Sequence, residues 1–247
     1  MSDPEYFGKY KTIAFERDDK GILIVRFHSD GGPVVYTKEH HTESVDAFYE
    51  IGKDVDNRVV ILTGTGDSFI NDARWDDPVS GPGDWEKVHR EGKRMLRNLL
   101  DIEVPVIAAI NGPATIHAEL AVLSDITLAS SDTVFADTPH FPGHTVPGDG
   151  VHVVWQELLG SNRGRYFLLT GQQLSASEAL ALGVVNEVLE PEALLGRARE
   201  LAEYIIARPP LVTRYTRTAI TVRWKRLLDE ALGYGLALEG LGVLSLR

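Results

Sequence analysis

The sequence contains no cysteine, which excludes disulfide bridges and thiolate metal sites. It also has no apolar run close to the about 18 to 20 residues that a membrane-spanning helix needs. Its apolar segments, such as residues 104–110, are only as long as a strand. The first ten residues lack the basic and apolar regions of a secretory signal. From these absences we expect a cytoplasmic protein that does not use a membrane as a partner.

Basic residues are scarce relative to acidic ones. The chain has 25 lysines and arginines against 36 aspartates and glutamates, which gives a formal net charge of −11. Such a charge repels nucleic acid unless basic residues are segregated into a patch. The two basic clusters, at 163–165 and 223–226, are expected to be solvated faces of helices. We therefore expect no nucleic-acid partner.

Several catalytic and ligand-binding motifs are also missing. The eight histidines show no HExxH or similar spacing and cysteine is absent, so we expect no metal site. No GxSxG sequence signals a serine nucleophile. The glycines at 64–67 are followed by neither a dinucleotide-binding pattern nor a P-loop pattern.

What the chain does contain is an alternation of β-rich and helical segments over 247 residues, a length that can bury a large core. Two β-rich segments, 21–30 and 58–66, flank a helical stretch, as in a βαβ unit. An amphipathic helix is predicted at 84–100. Further strands are predicted at 104–110, 125–129 and 133–136.

From Val151 onward the sequence is mainly helical. A capping box runs from Ser175 to Glu178, and a long amphipathic segment follows at 191–210. Repeated βαβ units followed by helices predict one α/β core with C-terminal helices. Helices of this kind often pack on neighbouring subunits, so we expect an oligomer.

One loop concentrates ionisable and rigid residues: DTPHFPGHTVPGDG, residues 137–150. Its prolines can hold His140 in one orientation, and Asp149 is near enough in sequence for its carboxylate to reach the imidazole. A carboxylate on one ring nitrogen would set the tautomer and leave the other nitrogen free as a general base. The alternative is that Asp149 only caps the helix beginning near Val151.

Most of the other histidines need no catalytic explanation. His117 is an exception, because it follows a strand and a turn among small residues, where backbone can approach a ligand closely. His144 shares the loop of His140 and is expected to be exposed. Structural or solvent-facing roles are favoured for the remaining five, His28, His40, His41, His89 and His152.

Four segments together carry a family resemblance that covers residues 20 to 240. They are VVILTGTGDSF, VPVIAAINGPA, ELAVLSDITLASSDTVFADTP and GRYFLLTGQQLSASEALALGVVNEV. The chain resembles the crotonase (enoyl-CoA hydratase/isomerase) superfamily. The resemblance implies an α/β fold with a spiral core of ββα units at 1–190, and a C-terminal helical trimerisation region at 191–247. It also implies a homotrimer or dimer of trimers and reactions through an enolate held in an oxyanion hole.

The chain departs from the usual family pattern at three places. Residues 115–118 replace a glycine run, residues 71–74 replace the usual A-G-A-D, and His140 stands where hydratases carry a catalytic glutamate. These changes disturb the thioester oxyanion hole and part of the coenzyme A pocket. Glu119 still occupies the other hydratase glutamate position, so an acyl-CoA hydratase or isomerase remains an alternative, as does a non-catalytic binding protein of this fold.

One branch of the superfamily, the β-diketone hydrolases, shares the altered pattern, including PHFP, VPGDG and HVVW. That resemblance implies cofactor-independent retro-Claisen hydrolysis of a C–C bond in a cyclic β-diketone, a small-molecule substrate, to give a keto acid. It assigns water activation to His140 and Asp149, and carbonyl binding to His117. The remaining pocket positions fall on Tyr36, where the branch has a tryptophan, and on His41 and Glu239.

Overall fold

A six-stranded sheet forms the centre of the computed structural model, which describes residues 3–76 and 79–246. The strand order is β1-β2-β4-β6-β7-β10, in which β1 is antiparallel to β2 and all other neighbours are parallel. Two further pairs, β3 with β5 and β8 with β9, form small separate sheets. The strands are β1 Ile13–Arg17, β2 Ile22–Phe27, β3 Val35–Tyr36, β4 Val59–Thr63, β5 Asp72–Ala73, β6 Val106–Ile110, β7 Ile126–Ser130, β8 Val134–Phe135, β9 Leu174–Ser175 and β10 Glu187–Leu189.

Helices follow the strands and cover both faces of the sheet. They are α1 Lys38–Lys53, α2 Pro82–Asp101, α3 Glu119–Val122, α4 Val151–Leu159, α5 Ser161–Thr170, α6 Ala176–Ala181, α7 Pro191–Ile206 and α8 Pro210–Ser245, after a single 3₁₀ turn at Glu5–Gly8. Among the described residues, no helix is long and apolar enough to cross a membrane.

The central strands are buried on both faces, which explains why they read as continuous apolar runs. β4 and β6 are buried at every position. One face packs on the larger core, which includes Phe48, Leu96 and Trp155 from three helices. The other face packs on α7 through Leu194, Ala198 and Ala202.

The structure confirms the predicted α/β class and most predicted elements. The strands expected at 21–30, 58–66, 104–110, 125–129 and 133–136 are β2, β4, β6, β7 and β8. The capping box is formed, since the Ser175 hydroxyl accepts from the Glu178 amide and the Glu178 carboxylate accepts from the Ser175 amide. The boundary between a spiral core at 1–190 and a helical region at 191–247 stays a prediction, and residues 1, 2, 77, 78 and 247 of these ranges lie outside the described residues.

A buried ion pair ties the C-terminal helix α8 to the sheet. Arg217 Nε donates to Asp125 Oδ2 over 2.7 Å, and its guanidinium also donates to the carbonyls of Leu99 and Leu100 at the end of α2. Arg217 is 1% exposed. Because both ends of this contact are buried, α8 is fixed in one position, and its distal half then runs towards the loop that carries His140.

Candidate active site

The turn after β6 presents His117. Gly112 in this turn has a φ of 143°, and a side chain there would overlap the Asp67 carbonyl, so only glycine fits. The chain then pairs with Ile70, whose carbonyl accepts from the amides of Thr115 and Ile116. His117 itself has a φ of 47°, an uncommon backbone conformation for a residue other than glycine.

His117 contacts two carboxylates through one ring nitrogen. Its Nδ1 lies 2.7 Å from Glu119 Oε1 and 3.5 Å from Asp149 Oδ2. Glu119 is completely buried, and its second oxygen has no hydrogen-bond partner within the described chain. Nδ1 is therefore engaged by Glu119, which leaves Nε2 as the nitrogen available to a substrate.

The loop at 137–150 holds His140 between three carboxylates. Its Nδ1 lies 2.5 Å from Asp137 Oδ1. Its Nε2 faces Asp149 Oδ2 at 3.5 Å and Glu239 Oε1 at 3.7 Å. The three carboxylates thus engage both nitrogens of a buried imidazole.

Asp149 contacts both the start of helix α4 and the catalytic histidines predicted from the sequence. Its Oδ1 accepts from the Val151 amide at the start of α4 over 3.5 Å, while its Oδ2 faces His117 and His140. The prediction that one ring nitrogen of His140 is left free of carboxylates is wrong, because carboxylates face both nitrogens. Asp137, three residues before His140, is the carboxylate on Nδ1, and Asp149 approaches Nε2.

Glu239 reaches the cluster because α8 and the loop pack backbone against backbone. A side chain at Gly148 would overlap the Gly235 carbonyl and lie 2.7 Å from Glu239 Cβ. A second contact fixes the helix at the same level, since Trp85 Nε1 of α2 donates to the Leu236 carbonyl over 2.8 Å. The glycines therefore set how closely Glu239 approaches His140.

Two aromatic contacts complete the cluster around His117. The Tyr36 ring packs on the His117 ring with centroids 4.4 Å apart, and the His41 ring lies 6.2 Å away. The Tyr36 hydroxyl donates to Met95 Sδ over 3.7 Å, so in this structure its hydrogen bond is directed to the core. His41 Nδ1 lies 3.2 Å from Glu91 Oε2 of α2.

The three histidines share one arrangement. In each of them a different carboxylate contacts Nδ1: Glu91 for His41, Glu119 for His117 and Asp137 for His140. A carboxylate on Nδ1 fixes the ring and directs Nε2 to the remaining contacts of the site.

Charges inside the cluster shift its pKa values in opposite directions. Burial alone would lower the pKa of His140, but the charge of Asp149 and the hydrogen bonds of Asp137, Asp149 and Glu239 raise it well above 6.5. Burial would raise the pKa of Asp149, but the charge and hydrogen bond of His140 lower it far below 3.8. The two groups therefore carry opposite charges in the resting site.

The pKa values of the other buried groups in the cluster are shifted as well. Burial would lower the pKa of His117, but the charge and hydrogen bond of Glu119 raise it. Burial raises the pKa of Glu119. Burial, with a contribution from the charge of Asp149, raises the pKa of Glu239 to about 7, so this carboxyl group titrates near neutral pH. Burial raises the pKa of Tyr36 well above 10, which keeps it a phenol.

The structure brings all six predicted site residues into one cluster, although they come from four separate segments of the chain. These segments carry Tyr36 with His41, His117, His140 with Asp149, and Glu239. Three partners were missed. Asp137 precedes His140 by three residues, and Glu119 follows His117 by two, so local spacing could have indicated both. Glu91 lies 50 residues from His41 and left no local signal. His144 is exposed, as predicted, and His40 forms the capping box of α1 with Thr37.

One subset of the cluster has a spacing that a metal ion could use. Ligand atoms of His117, Glu119 and Asp149 all lie within 4.8 Å of one another. The same atoms make the direct contacts described above. That the protein needs no metal therefore stays a prediction.

The family model for enoyl-CoA hydratase/isomerase matches residues 19–235. The chain belongs to this family. A short-chain-enoyl-CoA hydratase of Clostridium acetobutylicum is 33% identical over 192 residues, which are 75% of this chain and 72% of that protein. The crotonyl-CoA hydratase of Syntrophomonas wolfei is 28% identical over 227 residues, 90% of this chain and 86% of that protein.

A solved structure matches more of the chain. It is a β-diketone hydrolase from the cyanobacterium Anabaena sp. PCC 7120 bound to (S)-3-oxocyclohexyl acetic acid, and it is 51% identical with a TM-score of 0.98 over the whole of both chains. An enoyl-CoA hydratase/isomerase from Mycobacterium paratuberculosis aligns with a TM-score of 0.85 at 23% identity, over 95% of this chain and 94% of that one. The second match shows the shared crotonase-like fold.

Proposed function

We propose that this protein is a cofactor-independent hydrolase that cleaves a C–C bond of a cyclic β-diketone by a retro-Claisen reaction. The observation that carries the proposal is that His117 and His140, from separate loops, both lie 3.5 Å from one oxygen of buried Asp149. The full-length likeness to a β-diketone hydrolase supports the same reaction. A general base and an oxyanion donor on one carboxylate are the two groups that this chemistry needs.

In the proposed mechanism, neutral His140 removes a proton from water as the water oxygen attacks one carbonyl carbon. His117 donates a hydrogen bond to the oxyanion that forms. Collapse of the tetrahedral intermediate breaks the bond between this carbon and the α-carbon, and the second carbonyl accepts the electron pair as an enolate. The histidinium returns its proton to the enolate carbon, which gives a keto acid and restores His140.

A β-diketone makes the reaction feasible without a cofactor, because the leaving group is an enolate stabilised by the second carbonyl. The keto acid bound to the Anabaena protein suggests a test substrate. Joining its carboxyl carbon to the ring carbon beside the ketone and opposite the side chain, with loss of water, gives bicyclo[2.2.2]octane-2,6-dione. We propose this bicyclic diketone as a substrate of the present chain.

The test is a panel of bicyclic and monocyclic 1,3-diketones beside crotonyl-CoA, read by mass spectrometry. We expect a product heavier than a diketone by one water, with the ring opened. His140→Ala should lower kcat by at least about 10²-fold, the lower range for loss of a general base. His117→Ala should cost about 10²- to 10³-fold, as for loss of one oxyanion donor. Near-normal turnover by either variant would contradict the assignment.

Dialysis against EDTA is the control for the subset of residues that could bind a metal. We expect unchanged turnover, and we expect inductively coupled plasma mass spectrometry to find no stoichiometric metal in the purified protein. Loss of activity with EDTA and its return with one divalent ion would replace the proposed role of His117 by metal coordination.

Hydration of an acyl-CoA is the second candidate, because the relatives from Clostridium acetobutylicum and Syntrophomonas wolfei are enoyl-CoA hydratases. Glu119 occupies a hydratase glutamate position by resemblance, but one of its oxygens contacts His117 and the residue is fully buried. Addition of water to crotonyl-CoA without cleavage of any diketone would favour this alternative.

A further inference from the structure

Glu119 forms a buried hydrogen bond with the His117 ring. Its Oε1 lies 2.7 Å from His117 Nδ1, and its other oxygen is buried without a hydrogen-bond partner in the described part of the chain. Its exposed fraction is 0%. Within the described residues, the side-chain hydrogen bond of Glu119 is to the His117 ring.

We propose that Glu119 is a positioning residue that keeps a proton on His117 Nε2, so that this nitrogen serves as the hydrogen-bond donor to the oxyanion. The inference rests on the proposed retro-Claisen function and concerns the residue that binds the carbonyl oxygen in that reaction. Glu119 thus acts through His117 and does not exchange protons with the substrate.

The proton count of the pair explains this role. With one shared proton, either charged Glu119 accepts from an imidazolium, or neutral Glu119 donates to Nδ1 of a neutral ring. In the first state both ring nitrogens carry hydrogen. In the second state Nδ1 accepts through its lone pair, so the hydrogen of the neutral ring is on Nε2. Only loss of a further proton lets Nε2 become bare, and a bare nitrogen repels an oxyanion.

The surroundings of His117 oppose loss of that proton. Burial would lower the pKa of His117, but the negative charges of Glu119 and Asp149 raise it, against the positive charge of His140. Burial raises the pKa of Glu119 as well. The titratable groups that face His117 come from every element packed around it: Glu119, Asp149, His140, Glu239, His41 and Tyr36.

Backbone geometry gives independent support. His117 has a φ of 47°, a conformation that costs free energy for residues other than glycine and persists only where its surroundings enforce it. The hydrogen bond to Glu119, two residues along the chain, and the packing of the Tyr36 ring at a tilt both hold the imidazole in place. A residue with an uncommon backbone conformation is thus assigned to the oxyanion.

Glu119→Gln keeps the volume of the side chain and removes its charge. An opposite charge within contact distance shifts a pKa by about 1 to 3 units. We therefore expect the basic limb of the pH profile of kcat/KM to move to lower pH by at least about 1 unit, while the acidic limb, assigned to His140, moves less. At neutral pH we expect kcat to fall, by less than the about 10²- to 10³-fold of a lost donor.

The matched control is Glu187→Gln. Glu187 binds Arg197 through both oxygens and takes no part in the histidine cluster, so its profile should equal that of the unaltered protein. An unchanged profile in Glu119→Gln would overturn the proposal. So would complete loss of turnover at every pH in a folded variant, since that result would make Glu119 the acid–base group itself.

A second measurement needs neither a variant at position 119 nor a substrate. In protein labelled with ¹⁵N-histidine, long-range proton–nitrogen NMR at neutral pH reports which ring nitrogens of His117 carry hydrogen, after assignment by the loss of its signals in His117→Gln. We expect a protonated Nε2. A bare Nε2 would overturn the proposal. Because this readout is independent of turnover, a protein that cleaves no diketone would disprove the proposed function without deciding the state of His117.

Discussion

At the scale of single residues, His140 poses the main chemical question of the site. A general base must be neutral before it can accept a proton, yet Asp137 and Asp149 engage both of its nitrogens and raise its pKa well above 6.5. These carboxylates therefore favour the imidazolium form of His140 in the free protein. We infer that activity rises with pH as this proton is lost, and that His117 must keep its own proton over the same range.

Asp137→Asn tests this inference. Removing the charge beside Nδ1 lowers the pKa of His140, so the acidic limb of kcat/KM should move to lower pH, by at least about 1 unit. The measurement is the pH profile of diketone cleavage. Glu119→Gln provides the comparison, because it should move the basic limb instead. A shift of the same limb in both variants would contradict separate titration of the two histidines.

At the scale of elements, the site depends on how closely α8 packs on the loop at 137–150. Gly148 and Gly235 let backbone meet backbone, and Glu239 is one helical turn beyond that contact. The pairing of Arg217 with Asp125 fixes the start of the same helix. The loop and the helix therefore position Glu239 and His140 relative to each other more strictly than either could alone.

Gly148→Ala should separate the two elements. Its new methyl group would overlap the Gly235 carbonyl, and overpacking of this kind costs about 1 to 3 kcal/mol. We expect a lower free energy of unfolding in urea and a lower kcat, because Glu239 is displaced from His140. Gly196→Ala on α7 is the control: no atom lies within 4 Å of its added carbon, so it should be neutral or slightly stabilising. Equal effects of the two substitutions would argue against a specific contact.

At the scale of the whole molecule, apolar side chains remain exposed on the C-terminal helices. On α7 and α8 these are Tyr204, Leu211, Val212, Tyr215 and Ile220, each more than half exposed in the single chain. A cluster of this kind on a monomer's surface is typical of an interface. It supports the expectation that residues 191–247 form the contact between copies in a homotrimer or dimer of trimers.

Sedimentation velocity tests this expectation. We predict a mass of three or six chains for the unaltered protein and a smaller assembly for Tyr215→Glu, because a charge in an apolar interface is costly to bury. Tyr49→Glu is the control, since Tyr49 is also a tyrosine that is more than half exposed but lies on α1. A monomer at all concentrations would exclude the trimerisation region.

The sequence by itself determined the α/β class, because hydrophobic periodicity and turn residues are local properties that report on each strand and helix. Its resemblance to the crotonase superfamily also indicated His140, Asp149, His117, Tyr36, His41 and Glu239. Spacing and resemblance also paired His140 with Asp149, but they did not indicate the contacts of Asp137 with His140, of Glu119 and Asp149 with His117, or of Glu91 with His41.

Only the tertiary structure decided which carboxylate engages which nitrogen. Asp137 and Glu119 take Nδ1 of His140 and His117, while Asp149 lies between the two rings. The reason is physical: a hydrogen bond depends on distances of a few tenths of an ångström between loops and helices that are distant in sequence. Packing sets those distances, through contacts such as Gly148 on Gly235, and the same packing sets the pKa values on which the proposed chemistry depends.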